Sequence, residues 1–157
     1  MLASRALSAA RAVGLRIATA ESCTGGMIAA ALTDVPGASD VFEGGFVTYS
    51  NEAKVEMLGA PAEAIEAFGA VSGEVAELMA AGALMRSRAG LAVSVTGVAG
   101  PTGGTADKPV GLVWFGLARA GGALRVERRL FGAGSRAFIR AKTVETALRL
   151  LIEGARL

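Results

Sequence analysis

Ser22 and Cys23 stand side by side in the run Thr19-Ala20-Glu21-Ser22-Cys23-Thr24-Gly25-Gly26, two nucleophilic side chains followed closely by two glycines. A hydroxyl or thiol becomes a nucleophile only when a neighbour takes its proton or lowers its pKa. The glycines let a ligand come close to the backbone. An apolar run, Leu15 to Ala18, precedes the stretch and an alanine-rich one, Met27 to Leu32, follows it, which predicts a strand-to-helix turn. Free N–H groups and the dipole at a helix N-terminus favour a phosphate or a developing oxyanion there.

Composition narrows what can activate either group. The 157 residues contain no histidine and one cysteine. Ser-His-Asp and Cys-His catalysis are thereby excluded together, as is a zinc site built from the usual donors. The base must be a lysine, a carboxylate, a tyrosine or water. A lysine serves when desolvation brings its pKa towards neutrality, and Lys54 is the candidate. It follows the β-forming run Phe46-Val47-Thr48-Tyr49 and two residues suited to helix capping, Ser50 and Asn51. Were the first two strands parallel, Ser22 and Tyr49 would meet at one sheet edge. Each residue also has a plainer role open to it. Ser22 can be a turn or capping serine, Cys23 a small buried hydrophobe, Lys54 a solvated helix lysine beside Glu52 and Glu56, and Tyr49 a half-buried strand residue.

The elements that must position these groups follow from periodicity and turn chemistry. Residues 3 to 13 read as a helix ended by Gly14, Leu15 to Thr19 as the first strand, and Met27 to Thr33 as a small-residue helix. Asp34 to Ser39 reads as a loop by its Pro-Gly pair. Val41 to Tyr49 reads as a second strand with a bulge or close approach at Gly44-Gly45. Short helices follow over Glu52 to Leu58 and Pro61 to Phe68, then a longer one capped by Ser72 and running to about Met85. Leu91 to Thr96 reads as a buried central strand, and Gly97 to Thr105 as a second glycine-rich loop. Val110 to Ala118 and Leu124 to Phe131 flank Gly121-Gly122 as a hairpin, and Gly134 to Glu153 is the closing helix. Early strands separated by helices and a late hairpin predict an α/β fold with a mixed sheet and helices on both faces.

Whole-chain properties exclude other classes. With 52% hydrophobic and 19% charged residues the chain is expected to be one compact domain over 1–157, not a disordered segment. No apolar run has the ~18 to 20 residues of a membrane span, so no membrane partner is expected. The net charge of +2 is spread without a basic block, so nucleic acid is not expected either. A single cysteine suits a cytoplasmic location, and the apolar richness suggests a homo-oligomer. Gly132-Ala133-Gly134-Ser135-Arg136-Ala137 matches the dinucleotide pattern G-x-G-x-x-A, but no strand follows to supply the ribose-binding acid. That leaves a strand-to-helix loop in which Arg136 or Arg140 can face a phosphate.

Several separated motifs together resemble the CinA C-terminal domain family. They are Ala20 to Gly26, Val35 to Ser39, Val47 to Asn51 with Lys54, Gly69 to Ser72, and Val95 to Pro101 continuing through Lys108 to Gly111. The resemblance covers about Leu15 to Ala118 and is looser in the last helix. It implies a three-layer α/β/α sandwich with a mixed, mostly five-stranded sheet. It also implies hydrolysis of the carboxamide of nicotinamide mononucleotide (NMN) to nicotinate mononucleotide and ammonia, with Ser22 as nucleophile, Lys54 as its base and Tyr49 close by, and no metal or cofactor. On that mechanism the N–H groups of Cys23, Thr24 and Gly25 would hold the oxyanion, beside Gly26. The ribose and phosphate would lie near Thr48, Asn51 and the Thr96 to Thr105 loop, including Thr96, Gly97 and Gly100, with Arg136 or Arg140 as the phosphate partner. Longer members carry an additional N-terminal molybdopterin-binding-like domain, which this chain is expected to lack. Where the family commonly has Gly-Asp-Arg, this sequence has Gly134-Ser135-Arg136. A nucleotide-binding module without hydrolytic activity, with Lys54 as an anion contact, is the alternative, and cysteine catalysis by Cys23 is a third.

Overall fold

The computed structural model describes residues 1–122 and 124–157. In chain order the elements are α1 (Leu2–Ala12), β1 (Ile17–Glu21), α2 (Met27–Thr33), a short 3-10 turn (Ala38–Asp40), β2 (Phe42–Val47), α3 (Asn51–Leu58), α4 (Ala62–Phe68), α5 (Gly73–Met85), β3 (Leu91–Gly97), β4 (Leu112–Arg119), β5 (Arg125–Leu130) and α6 (Arg136–Ala155). The five strands form one sheet in the order β2-β1-β3-β4-β5. β1 runs parallel to β2 and to β3, whereas β4 and β5 are antiparallel additions. Helices α1, α2 and α6 cover one face, and α3, α4 and α5 the other. The fold is thus a three-layer α/β/α sandwich.

Side-chain size decides how each layer sits. Ile17, Leu91, Val93, Val95, Val113, Phe115 and Leu117 point towards α1 and α6 and are buried in one large apolar cluster. Small residues, among them Ala18, Ala20 and Ala92, face the α5 side. There the Ser94 hydroxyl donates to the Ala76 carbonyl of α5, and a Cβ at Gly116 would collide with that same carbonyl. The helix therefore lies directly on the sheet backbone, which only small residues permit.

Two boundaries differ from expectation in ways that matter for the site. β1 begins at Ile17 and continues to Glu21, two residues beyond the expected end, because the Glu21 carboxylate is satisfied inside the protein and need not seek water. β2 ends at Val47, so Tyr49 lies beyond the strand and is largely exposed instead of half-buried within it. Of the bulge or close approach expected at Gly44-Gly45, the close approach is at Gly45, where a Cβ would meet the Thr19 hydroxyl, while the bulge falls at Glu43, since Ile17 pairs with Phe42 and Ala18 with Gly44.

After β1 the chain turns to α2 on one face, and after β2 it turns to α3 on the other. Neighbouring parallel strands whose connections diverge open a crevice at their carboxyl ends, where open α/β sheets bind ligands. Ser22 sits at the end of β1 and Tyr49 at the end of β2, on this crevice.

Candidate active site

The turn after β1 is built by two glycines and one carboxylate. Gly25 and Gly26 have φ of +59° and +106°, backbone that a residue with a side chain adopts only with strain. They turn the chain sharply enough for α2 to start at Met27. Beneath the turn the Glu21 carboxylate accepts from the Thr24 hydroxyl and from the backbone N–H groups of Ile28 (2.9 Å) and Ala29 (3.0 Å). The first free donors of α2 are therefore satisfied internally, and the helix end expected to attract an anion is already filled by Glu21. Gly25 N–H also closes back on the Ser22 carbonyl at 3.1 Å. Among the described residues the N–H groups of Cys23 and Thr24 have no protein acceptor.

Lys54 comes from the first turn of α3. Ser50 caps this helix by accepting from Ala53 N–H, which carries Lys54 back over the end of β2. The lysine is 1% exposed, and its Nζ lies 2.9 Å from Ser22 Oγ. It also donates to the carbonyls of Thr48 at 2.8 Å and Tyr49 at 3.2 Å, with Ser50 O at 3.5 Å. No carboxylate stands within ion-pair distance of it among the described residues. Burial pushes its pKa from 10.5 down to about 8, with the neighbouring Cys23 opposing the shift. As the ammonium, Lys54 donates to the Ser22 hydroxyl oxygen as well as to these carbonyls; as the neutral amine it can keep two hydrogens on the Thr48 and Tyr49 carbonyls and turn its lone pair to the Ser22 hydroxyl.

Cys23 behaves differently from its neighbour. Its side chain belongs to the apolar cluster, and burial raises the thiol to about 11. A thiol held protonated in this way is a poor nucleophile near neutral pH.

Ser22 opens into a cleft of about 350 Å³ lined by Ser22, Cys23, Tyr49, Val71, Gly97 to Gly100, Thr102, Gly103 and Arg136. Arg136 crosses its rim, donating to the Gly100 carbonyl at 2.8 Å and to the Tyr49 hydroxyl at 3.2 Å. Ser135 caps α6 by accepting from Phe138 N–H at 3.1 Å. The departure from Gly-Asp-Arg thus retains a capping side chain. A larger hollow of about 670 Å³ between α1 and the end of α6 shares no residue with this cleft.

The fold brings together Ser22, Cys23, Lys54, Tyr49, Gly97, Gly100 and Arg136 from five separate stretches of chain. Other residues singled out from the sequence lie elsewhere. Asn51 is exposed on the far side of α3, in a different hollow with Glu52 and Val55. The Thr48 side chain is fully buried with its hydroxyl unpartnered, and only its carbonyl touches the site. Thr96 spends its hydroxyl on the Ala70 carbonyl at 2.8 Å, which ties the glycine loop to the start of α5. Arg140 reaches the back of the Ser22 turn, where it donates to the carbonyls of Cys23 and Thr24. Thr102 lies in the Thr96 to Thr105 loop expected at the site, whereas Glu21 and Val71 were not anticipated. A lone acid closing a strand and followed within a turn by a helix start was the available signal for Glu21.

A profile of the CinA C-terminal domain matches residues 1–154 of this chain. A nicotinamide-nucleotide amidohydrolase PncC of Enterobacter agglomerans is 47% identical over 150 residues, 93% of this chain and 91% of that protein. A CinA-like protein of Akkermansia muciniphila is 52% identical over 142 residues, which are 90% of this chain but 34% of that protein. The chain likewise spans about a third of the length of CinA-like proteins from Chlorobium limicola and Mycolicibacterium vanbaalenii. The crystal structure of competence/damage inducible protein CihA from Agrobacterium tumefaciens superposes with a TM-score of 0.95 at 51% identity, covering 97% of this chain and 92% of that one. Sequence over nearly the whole length and backbone over nearly every element agree, and the chain belongs to the CinA C-terminal domain family.

Proposed function

We propose that this protein is an amidohydrolase that converts NMN to nicotinate mononucleotide and ammonia through a Ser22–Lys54 acyl-enzyme. The observation that carries the mechanism is the 2.9 Å approach of a buried, carboxylate-free lysine to the Ser22 hydroxyl. The substrate is supported by the name of the Enterobacter agglomerans relative, a nicotinamide-nucleotide amidohydrolase matched over 91% of its length.

Ser22 Oγ attacks the carboxamide carbon while Lys54 Nζ takes the hydroxyl proton. The tetrahedral oxygen then carries negative charge, and the N–H groups of Cys23 and Thr24 receive it. A single well-aimed donor of this kind is worth ~3 kcal/mol of barrier. The carbon–nitrogen bond breaks as Lys54 returns its proton to the departing nitrogen, which leaves as ammonia. Water attacks the resulting ester with Lys54 again as base, and nicotinate mononucleotide is released as Ser22 regains its proton. At pH 7 a lysine of pKa about 8 is neutral in about one molecule in ten, enough for a base matched to its task.

Arg136 faces the cleft with a guanidinium that no carboxylate neutralises among the described residues, and it takes the substrate phosphate. Tyr49 and the Gly97 to Gly103 backbone line the remaining wall. The test is to incubate the purified protein with NMN and measure ammonia and nicotinate mononucleotide together. Equal release of both is expected; tight NMN binding without turnover would instead make the protein a nucleotide-binding module.

A further inference from the structure

We infer that Arg140 is a positioning residue that aims an oxyanion donor of the Ser22 turn by acting through the Cys23–Thr24 peptide bond, an inference that rests on the hydrolytic reading above. Arg136 and Arg140 are four residues apart on α6 and so project from the same face of the helix. The first reaches the cleft rim. The second does not line the cleft at all. Its Nε donates to the Cys23 carbonyl at 3.1 Å and its Nη2 to the Thr24 carbonyl at 3.2 Å, so both ends of the guanidinium are committed to the turn behind the nucleophile.

A trans peptide points its C=O and the following N–H in opposite directions. With the Cys23 carbonyl held towards α6, the Thr24 N–H is turned away from Arg140. With the Thr24 carbonyl held likewise, the Gly25 N–H points back to the Ser22 carbonyl, the 3.1 Å bond observed. The Thr24 N–H has no protein acceptor among the described residues. The Glu21 carboxylate, 1% exposed, already takes the Thr24 hydroxyl and the N–H groups of Ile28 and Ala29. What remains for a developing oxyanion is the backbone of the turn itself, whose orientation Arg140 sets from behind. No carboxylate lies within ion-pair distance of Arg140 among the described residues, so its charge also favours the negative oxygen.

The test compares steady-state ammonia release from NMN by wild type, Arg140→Lys and Arg140→Met, the last also with millimolar guanidinium. A lost donor orientation should lower kcat of Arg140→Met about 100-fold and leave KM within about threefold, with guanidinium restoring part of kcat. Arg140→Lys, which reaches one carbonyl, should fall between. A raised KM at unchanged kcat would make Arg140 a substrate contact and overturn the inference. So would unchanged kinetics, or a loss in a folded variant that guanidinium does not relieve. If Arg140→Met does not fold, Arg140→Lys decides alone: a lowered kcat at constant KM supports the inference and any other pattern overturns it. If wild type releases no ammonia, the hydrolytic reading itself fails, and labelling of Ser22 by a fluorophosphonate then decides. Labelling slowed about tenfold or more in the arginine variants keeps the inference, whereas equal labelling or none overturns it.

Discussion

In the proposed mechanism the chemistry depends on Lys54, and its burial has two separable consequences. The first is kinetic. A base of pKa about 8 gives a kcat/KM that rises tenfold per pH unit below that value and levels off above it, so a profile of NMN hydrolysis should show one ascending limb centred near pH 8. A limb centred near pH 4 would implicate a carboxylate instead. The second is thermodynamic. Lys54 loses its proton near pH 8 when folded and near 10.5 when unfolded. Between those values the unfolded chain holds the extra proton, so stability rises with pH across this window and is lowest below it. The stability difference between wild type and Lys54→Met should change by about 3 kcal/mol in favour of wild type from pH 7 to pH 10.5, measured by urea unfolding. A difference independent of pH would mean that Lys54 is solvated. The sequence placed Ser22 and Lys54 on the strength of the missing histidine and the family resemblance, but it had no means of showing that the amine is stripped of water. That property depends on the fold bringing Ser22, 32 positions away, against an amine already held by the Thr48 and Tyr49 carbonyls.

At the scale of elements, the site is held by short polar anchors at the ends of strands. Glu21 fills the start of α2, Ser50 starts α3, and Thr96 moors the glycine loop to Ala70. Thr48, Asn51 and Thr96 read from the sequence as ligand contacts because polar residues beside a motif invite that assignment. In the fold the hydroxyl of Thr96 is spent on the backbone, that of Thr48 is buried, and Asn51 faces another hollow. Glu21 went unnoticed because an acid in a strand ordinarily faces water. The close seating of α5 was legible only as an excess of alanine and glycine. It leads to a direct expectation for Gly116→Ala: the new methyl meets the Ala76 carbonyl, which is backbone and cannot swing aside. The variant should lose about 2 to 3 kcal/mol of stability while the folded fraction keeps its kcat, as read by thermal unfolding beside single-turnover kinetics. An unchanged melting temperature would show that α5 has room to spare.

At the scale of the whole molecule, function follows from topology. β1 lies between β2 and β3, and the chain leaves β1 and β2 towards opposite faces, so a crevice opens at their carboxyl ends, where Ser22 and Lys54 meet. Element types and their order were readable from periodicity, Pro-Gly turns and capping serines. Strand order was not, because pairing between strands separated by dozens of residues depends on which faces can be buried together and leaves no local mark. Among the described residues no helix is long and apolar enough to cross a membrane. The most direct test of the Ser22–Lys54 account is ammonia release from NMN by Ser22→Ala and Lys54→Ala beside the wild type. Both variants should stay folded and lose about a thousandfold or more in kcat, with little further loss when the two substitutions are combined. A folded variant of either kind that keeps activity within about tenfold of wild type would contradict the account, since a nucleophile and its base act as a unit.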